Sequence, residues 1–241
     1  MSLPFFYTET LSPSEKIILL NEENSKHVVQ VLRMQTGEPL KLTNGKGNIY
    51  SANVEDAHKK KCTVKITQIS SEKIPDRKVC IAVSPVKNSS RFEWFLEKAT
   101  EMGVTEIVPL MCVRTEKQHL RYDRMKGILI SAMLQSQQAW LPMLHEPVKF
   151  TDYIKLSAEL KSNKYIAHCE EENKTSLKNI LTQTSYLLKA DAIILIGPEG
   201  DFTTDEISFS LQNNFVPVAL GDTRLRTETA AVVAAALLCI E

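Results

Sequence analysis

Residues 192–202 read Ala-Ile-Ile-Leu-Ile-Gly-Pro-Glu-Gly-Asp-Phe, and residues 220–230 read Leu-Gly-Asp-Thr-Arg-Leu-Arg-Thr-Glu-Thr-Ala. The first stretch opens with the apolar run Ala192–Ile196, which predicts a strand buried on both faces. It runs straight into Gly197-Pro198-Glu199-Gly200, after which Thr203-x-x-Glu206 opens a helix as a capping box. Open α/β sheets bind ligands beyond the carboxyl ends of their strands. Gly197 and Gly200 let a ligand approach the backbone closely. On spacing alone this is either a plain strand-to-helix turn or a ligand loop. The second stretch follows another strand, Phe215–Leu220, and leads through Arg226-Thr227-Glu228 into the apolar, alanine-rich run Ala230–Ile240. A helix apolar all round must be buried on most faces. Arg226 and Glu228, directly before it, are expected in a partly desolvated place, where they either pair with each other or serve a ligand.

Upstream, the pattern is strand alternating with helix from Lys78 onward. Val79–Val83, Ile107–Leu110 and Tyr165–Ala167 read as strands. Phe92, Phe95, Leu96, Ala99 and Met102 recur at helical spacing behind a capping box at Ser90-x-x-Glu93, and Gly103 closes that helix. A further helix is predicted from Asp123 to Gln138. This alternation implies a mostly parallel α/β sheet. Residues 1 to about 70 have another texture. Lys16–Leu20, Leu40–Thr43, Ile49–Val54 and Cys62–Ile69 read as strands, with one helix over Glu22–Met34 that Gly37 ends. Asn44-Gly45 signals a hairpin, because both residues tolerate positive φ. A small β-barrel with one helix fits, joined by a polar linker at 71–77. The predicted division is therefore 1–72 and 73–241.

The bulk numbers narrow the class. The chain has 241 residues, 43% hydrophobic and 24% charged, with Lys plus Arg equal to Asp plus Glu at 29 each. Zero net charge argues against coating nucleic acid by bulk charge, although a local basic patch is compatible with it. Val113–Lys126 is such a stretch: Arg114, Lys117, Arg121, Arg124 and Lys126 oppose only Glu116 and Asp123. The five cysteines form no C-x-x-C pair, and the histidines have no metal-ligand spacing, so no metal is expected. There is no G-x-G-x-x-G and no G-x-x-x-x-G-K-[ST], which removes dinucleotide enzymes and P-loop NTPases. Acidic residues outnumber basic ones eight to two over 190–241, a balance unsuited to a phosphate-rich cofactor and equally compatible with a cationic one or with a solvated acidic surface. Met1–Glu9 shows no signal-peptide pattern and the longest apolar run is too short to span a bilayer, so a soluble, cytoplasmic protein is expected.

Taken in order, the motifs resemble the RsmE family of the SPOUT superfamily, whose members methylate N3 of a uridine in 16S ribosomal RNA. The residues that carry the likeness are His27-x-x-x-Val31-Leu-Arg33, Glu97-Lys-Ala-Thr-Glu-Met-Gly103, Arg114-Thr-Glu-Lys117, Ala132-x-x-Gln135-Ser136 and the two stretches quoted above. The resemblance implies a PUA-like β-barrel followed by an α/β domain with a deep trefoil knot. It implies S-adenosylmethionine as cofactor, bent and held by Ile196, Gly197, Pro198, Glu199, Gly200, Leu220, Gly221, Leu225, Arg226 and Thr227. It implies small-subunit ribosomal RNA, in the assembled 30S particle, as substrate, and a homodimer. Arg226 is then the candidate to stabilise the uracil anion, and Glu228 or Glu101 to accept its proton. His27, Arg33, Arg114, Lys117, Arg121 and Arg124 are the candidates to contact RNA. Two other readings stay open: a SPOUT enzyme methylating a ribose 2′-hydroxyl of ribosomal or transfer RNA, and a non-catalytic RNA-binding protein. The chain departs from the family pattern at Leu134 and Gln138, and at Asp201, where a second glycine is usual.

Overall fold

The structure is a computed structural model that describes residues 3–11, 14–116, 119–170, 174–183 and 190–240. The chain forms two compact units, one of residues 1–74 with 133–141, the other of residues 75–132 with 142–241.

The first unit is a five-stranded sheet built from β1 (Phe5–Tyr7), β2 (Ile17–Leu19), β3 (Pro39–Thr43), β4 (Asn48–Asp56) and β5 (Thr63–Ser71), in the order β1-β3-β4-β5-β2. All pairings are antiparallel except β1 with β3. Leu40, Leu42, Tyr50, Ala52, Val54 and Val64 alternate inward and form its core with Val28. The predicted helix is shorter and less regular than its periodicity suggests. Helix α1 spans Glu22–Lys26, capped by the Asn21 side chain, and continues as one π-helical turn over His27–Val31. Arg33, not Gly37, ends it: Arg33 is left-handed at φ 56°. Met34 N–H then reaches back to the Val28 carbonyl, one residue further than in a Schellman closure, because the last turn is π-wound.

The hairpin between β3 and β4 also differs from the prediction. Its positive φ angles fall on Gly45 (71°) and Gly47 (81°), not on Asn44. The turn has a partner that the local pattern did not show. Residues 139–141 lie along it, with Gly47 N–H donating to Ala139 O, Leu141 N–H to Gly45 O, and Lys46 bridging Trp140. Trp140 covers Gly47 so closely that a Cβ there would sit 2.3 Å from the indole.

The second unit holds β6 (Val79–Val83), β7 (Glu106–Met111), β8 (Met143–Leu144), β9 (Val148–Lys149), β10 (Asn163–Ala167), β11 (Thr175–Ser176), β12 (Ala192–Ile196) and β13 (Val216–Ala219). They form one parallel sheet, β11-β13-β10-β12-β6-β7-β8, with β9 also along β7. Its helices are α2 (Ser89–Glu101), α3 (Tyr122–Gln135, whose residues from Met133 on belong to the first unit), α4 (Phe150–Ala158), α5 (Leu177–Gln183), α6 (Thr204–Gln212) and α7 (Thr227–Cys239). β6 and β12 are buried at every position, as their unbroken apolar runs predict. Two helix ends differ from the sequence reading. Helix α2 is capped by Asn88, whose side chain accepts from Ser90 N–H, so the Ser90–Glu93 capping box does not form and Glu93 is free to pair with Arg124. Helix α3 stops at Gln135 because Gln137 is left-handed, at φ 59°. Among the described residues, no helix is long and apolar enough to cross a membrane.

Gly47→Ala adds a methyl group where the indole already lies and forces φ 81° on an L residue. It is expected to destabilise the N-terminal unit by about 2 kcal/mol or more. Urea unfolding followed by Trp140 fluorescence in a Trp94→Phe background reads this as a lower midpoint. An unchanged midpoint would contradict the packing described.

Candidate functional site

The register of the sheet brings several strand ends level. Ala167, the last residue of β10, lies opposite Ile196 of β12 and Val218 of β13, and Ile196 lies opposite Val83 of β6. Strand order reverses here: β7 and β8 continue from one side of β6, whereas β12, β10 and β13 fill the other. Such a switch point opens a crevice beyond the carboxyl ends. Two cavities occupy it. One, of about 410 Å³, is lined by Ile196–Glu199 and Asp201 from the loop after β12 and by Leu225–Glu228 at the start of α7. The other, of about 320 Å³, is lined by Leu220, Gly221, His168 and Lys174. Ala167, Cys169, Arg224, Leu225 and Ala230 border both. They are two lobes meeting at a shared wall. A larger cavity, of about 710 Å³, lies at the opposite ends of β6, β7 and β12, among Tyr153, Leu156 and Leu160. We assign the site to the two-lobed crevice, because ligands of parallel sheets bind at carboxyl ends and the glycine-bearing loops converge there.

The loop Gly197–Phe202 is held from several directions. The Thr227 hydroxyl donates to Gly197 O at 3.0 Å. Lys87 N–H donates to a Glu199 carboxylate oxygen at 3.0 Å. Arg114 Nη1 donates to Gly200 O at 2.7 Å and to Phe202 O at 3.3 Å. Asp201, left-handed at φ 63°, closes the turn by donating its N–H to Pro198 O at 2.9 Å. The buried Phe202 ring packs on Phe150 and lies 3.1 Å from where a Cβ on Gly197 would be, so Gly197 is needed for that approach. The predicted capping box at Thr203 and Glu206 forms. Its Glu206 carboxylate is buried yet satisfied, because its second oxygen accepts Val113 N–H at 2.9 Å.

Other predicted residues separate into groups. Arg226 is exposed on the wall of the larger lobe, as the residue before α7, and makes no capping bond. Glu228 is buried and pairs with Arg91 of α2 at 3.6 Å, not with Arg226. Glu101 does not line either lobe. It binds Lys98 at the far end of α2, roughly 15 Å from Arg91 at helical rise. Of the basic residues, Arg114 spends its guanidinium on the loop carbonyls, and Arg124 makes a two-point contact with Glu93, holding that carboxyl below its usual range. Arg121 lies beside this pair in a shallow hollow. Lys117 lies outside the described residues. His27 and Arg33 are exposed in the first unit, with His27 edge-on to Phe6. Sequence reasoning missed Arg91, Lys174 and the loop His168–Glu170. The signal for that loop lies in the sequence: Tyr165–Ala167 reads as a strand, and ligands bind beyond the carboxyl ends of parallel strands.

The chain is similar to known RNA methyltransferases along most of its length. Residues 72–239 match the model of an RNA methyltransferase domain and residues 20–67 that of an RNA methyltransferase PUA domain. A probable rRNA-methyltransferase from Porphyromonas gingivalis superposes with a TM-score of 0.85 at 35% identity, over 97% of this chain and 95% of that one. A candidate methyltransferase from Legionella pneumophila, solved with bound cofactor SAM, gives 0.84 at 28% identity, over 99% and 97%. The ribosomal RNA small subunit methyltransferase E of Rickettsia conorii is 28% identical over 96% of this chain and 92% of its own.

Removing the Arg114 guanidinium leaves the Gly200 and Phe202 carbonyls without that donor. In Arg114→Ala, hydrogen exchange of the Asp201–Thr203 amides is expected to quicken about tenfold while β12 is unchanged. Equal protection in both proteins would show that Arg114 does not hold the loop.

Proposed function

This chain belongs to the RsmE family of RNA methyltransferases that carry a PUA domain, and on that premise we propose that it transfers the methyl group of S-adenosylmethionine to N3 of a uridine in 16S ribosomal RNA. The observation that carries the reading is the two-lobed crevice at the level ends of β10, β12 and β13, with Arg226 on its wall. The residues present fit the cofactor. Two lobes meeting at Leu225 suit a ligand bound bent. Three carboxylates, Glu199, Asp201 and Glu228, and three arginines, Arg91, Arg224 and Arg226, line one lobe, a balance that suits a zwitterionic cofactor without phosphates. Ile196–Glu199, Leu220–Gly221 and Leu225–Thr227 would hold it mainly through the backbone, whereas Gly200, which lines neither lobe, serves the loop by accepting from Arg114.

When bound, the cofactor supplies an electrophilic methyl group on sulfur. The chain's own residues must align the uracil and stabilise the negative charge on it as the N3 proton leaves. Arg226 takes that second role, because it stands exposed on the cavity wall without a capping duty. Glu228 is the proton acceptor favoured over Glu101, since Glu228 lines the crevice and Glu101 does not. Arg91 then fixes the Glu228 carboxylate. N3 is engaged in a base pair within a duplex, so the target uridine enters unpaired or flipped out.

We further propose a knot, a homodimer and a division of labour along the chain. The second unit is knotted: α7 follows β13 yet packs on β6, β12 and α2, on the other side of β10. The protein is a homodimer: Val232, Val233 and Leu237 keep a half-buried apolar face on α7, and Trp94 of α2 is 43% exposed. Residues 1–72, which residues 133–141 join in the first unit, serve as the PUA-like RNA-binding domain, with His27 and Arg33 contacting RNA, and the rest of 73–241 carries the chemistry. Arg121 and Lys117 contact the RNA phosphates, whereas Arg114 and Arg124 act chiefly through the loop and Glu93. The substrate is the assembled 30S subunit, met in the cytoplasm.

Incubation with isolated small subunits and S-adenosylmethionine is expected to produce 3-methyluridine on nucleoside analysis. Recovery of 2′-O-methyl nucleosides without 3-methyluridine would contradict the assignment. Arg226→Ala is expected to lower turnover about a hundredfold while the affinity for S-adenosylmethionine stays within about threefold. Matching losses in both would make Arg226 a structural residue.

A further inference from the structure

We propose that Asp201 is a positioning residue for the methyl donor: its carboxylate ties the loop after β12 to the loop after β10 and so sets the wall that the two lobes share. The inference rests on the cofactor assignment above and names what holds that pocket in shape. Asp201 occupies the left-handed region at φ 63°, where glycine is the unstrained choice and aspartate is among the few tolerated alternatives. What the side chain gains there is visible. Oδ2 accepts the N–H of Cys169 at 2.7 Å, and Oδ1 accepts the N–H of Phe202 at 2.8 Å. The carboxylate therefore bridges two chain segments, and bonds to an ionised acceptor are about twice as strong as neutral ones.

Cys169 is the residue on the far side of that bridge, and it borders both lobes. Its loop has little regular structure to fix it. Lys174 gathers the His168 and Glu170 carbonyls on one ammonium, at 2.5 and 2.7 Å, and Thr204 donates to the Glu170 carboxylate at 3.2 Å. Lys174 shapes the loop and Thr204 anchors its end, while Asp201 joins its middle to the opposing wall. A glycine at 201 would satisfy the backbone and leave that joint unmade. Aspartate at this left-handed position is thus a coupling between two walls of one pocket.

Calorimetric titration with S-adenosylmethionine, followed by steady-state methylation of small subunits, tests this on the full-length protein. Asp201→Gly is expected to raise the Kd and the KM for S-adenosylmethionine about tenfold, with kcat at saturating cofactor and the KM for subunits within about twofold of wild type. Asp201→Asn tolerates the same φ and keeps one acceptor oxygen, so its Kd should rise about threefold. Cofactor affinity within twofold of wild type in both variants overturns the proposal. So does a fall in kcat and subunit affinity as large as that in cofactor affinity, since that marks a general structural defect. If Asp201→Gly fails to fold, Asp201→Asn decides by the same threefold criterion. Failure of the wild-type protein itself to bind S-adenosylmethionine refutes the functional reading instead.

Discussion

One guanidinium, that of Arg114, donates to the carbonyls of Gly200 and Phe202, and the site depends on the loop between them keeping its shape. A glycine-containing turn at the end of a buried strand has little shape of its own. Here Lys87, Arg114 and Thr227 fix it from segments distant in sequence, and Asp201 extends the framework to the loop after β10. Three strands whose ends lie level supply the platform, and the side chains turn that platform into a cavity of defined width. A pocket preformed in this way binds without first ordering its walls, which is where much of the cost of binding otherwise lies.

The parallel sheet was the most legible part of the sequence. Val79–Val83 and Ala192–Ile196 are apolar at almost every position because strands between two helical layers are buried on both faces. The Thr203–Glu206 capping box was legible because it is a contact over three residues. The Ser90–Glu93 pattern fits the same motif and does not cap, because Asn88 takes the position and Arg124 the carboxylate. Arg114 shows the same limit. Its place in a basic stretch suggested RNA, and only the fold reveals that its fork is occupied by carbonyls eighty-odd residues away in sequence. The strands β8, β9 and β11 were not legible either, since two residues carry no periodicity.

The first unit repeats the lesson in its turns. Arg33 and Gln137 end helices in left-handed geometry without glycine, so neither stop could be read from composition. The π-wound turn before Arg33 displaces the bonding by one residue and leaves Val31, Leu32 and Arg33 exposed together. Such turns recur at functional sites, and this one carries the residues proposed to contact RNA. The segment 139–141 reaches the Gly45–Gly47 turn through pairings far apart in sequence, which no local pattern encodes.

In the proposed function, one crevice, at the carboxyl ends of β10, β12 and β13, receives the methyl donor bent across two lobes. A crystal structure of the protein grown with S-adenosylmethionine tests it most directly. The cofactor is expected folded around Leu225, with its sulfonium methyl turned toward the cavity wall that bears Arg226. Density for an extended cofactor, or for one seated in the cavity beside Tyr153 and Leu160, would contradict it.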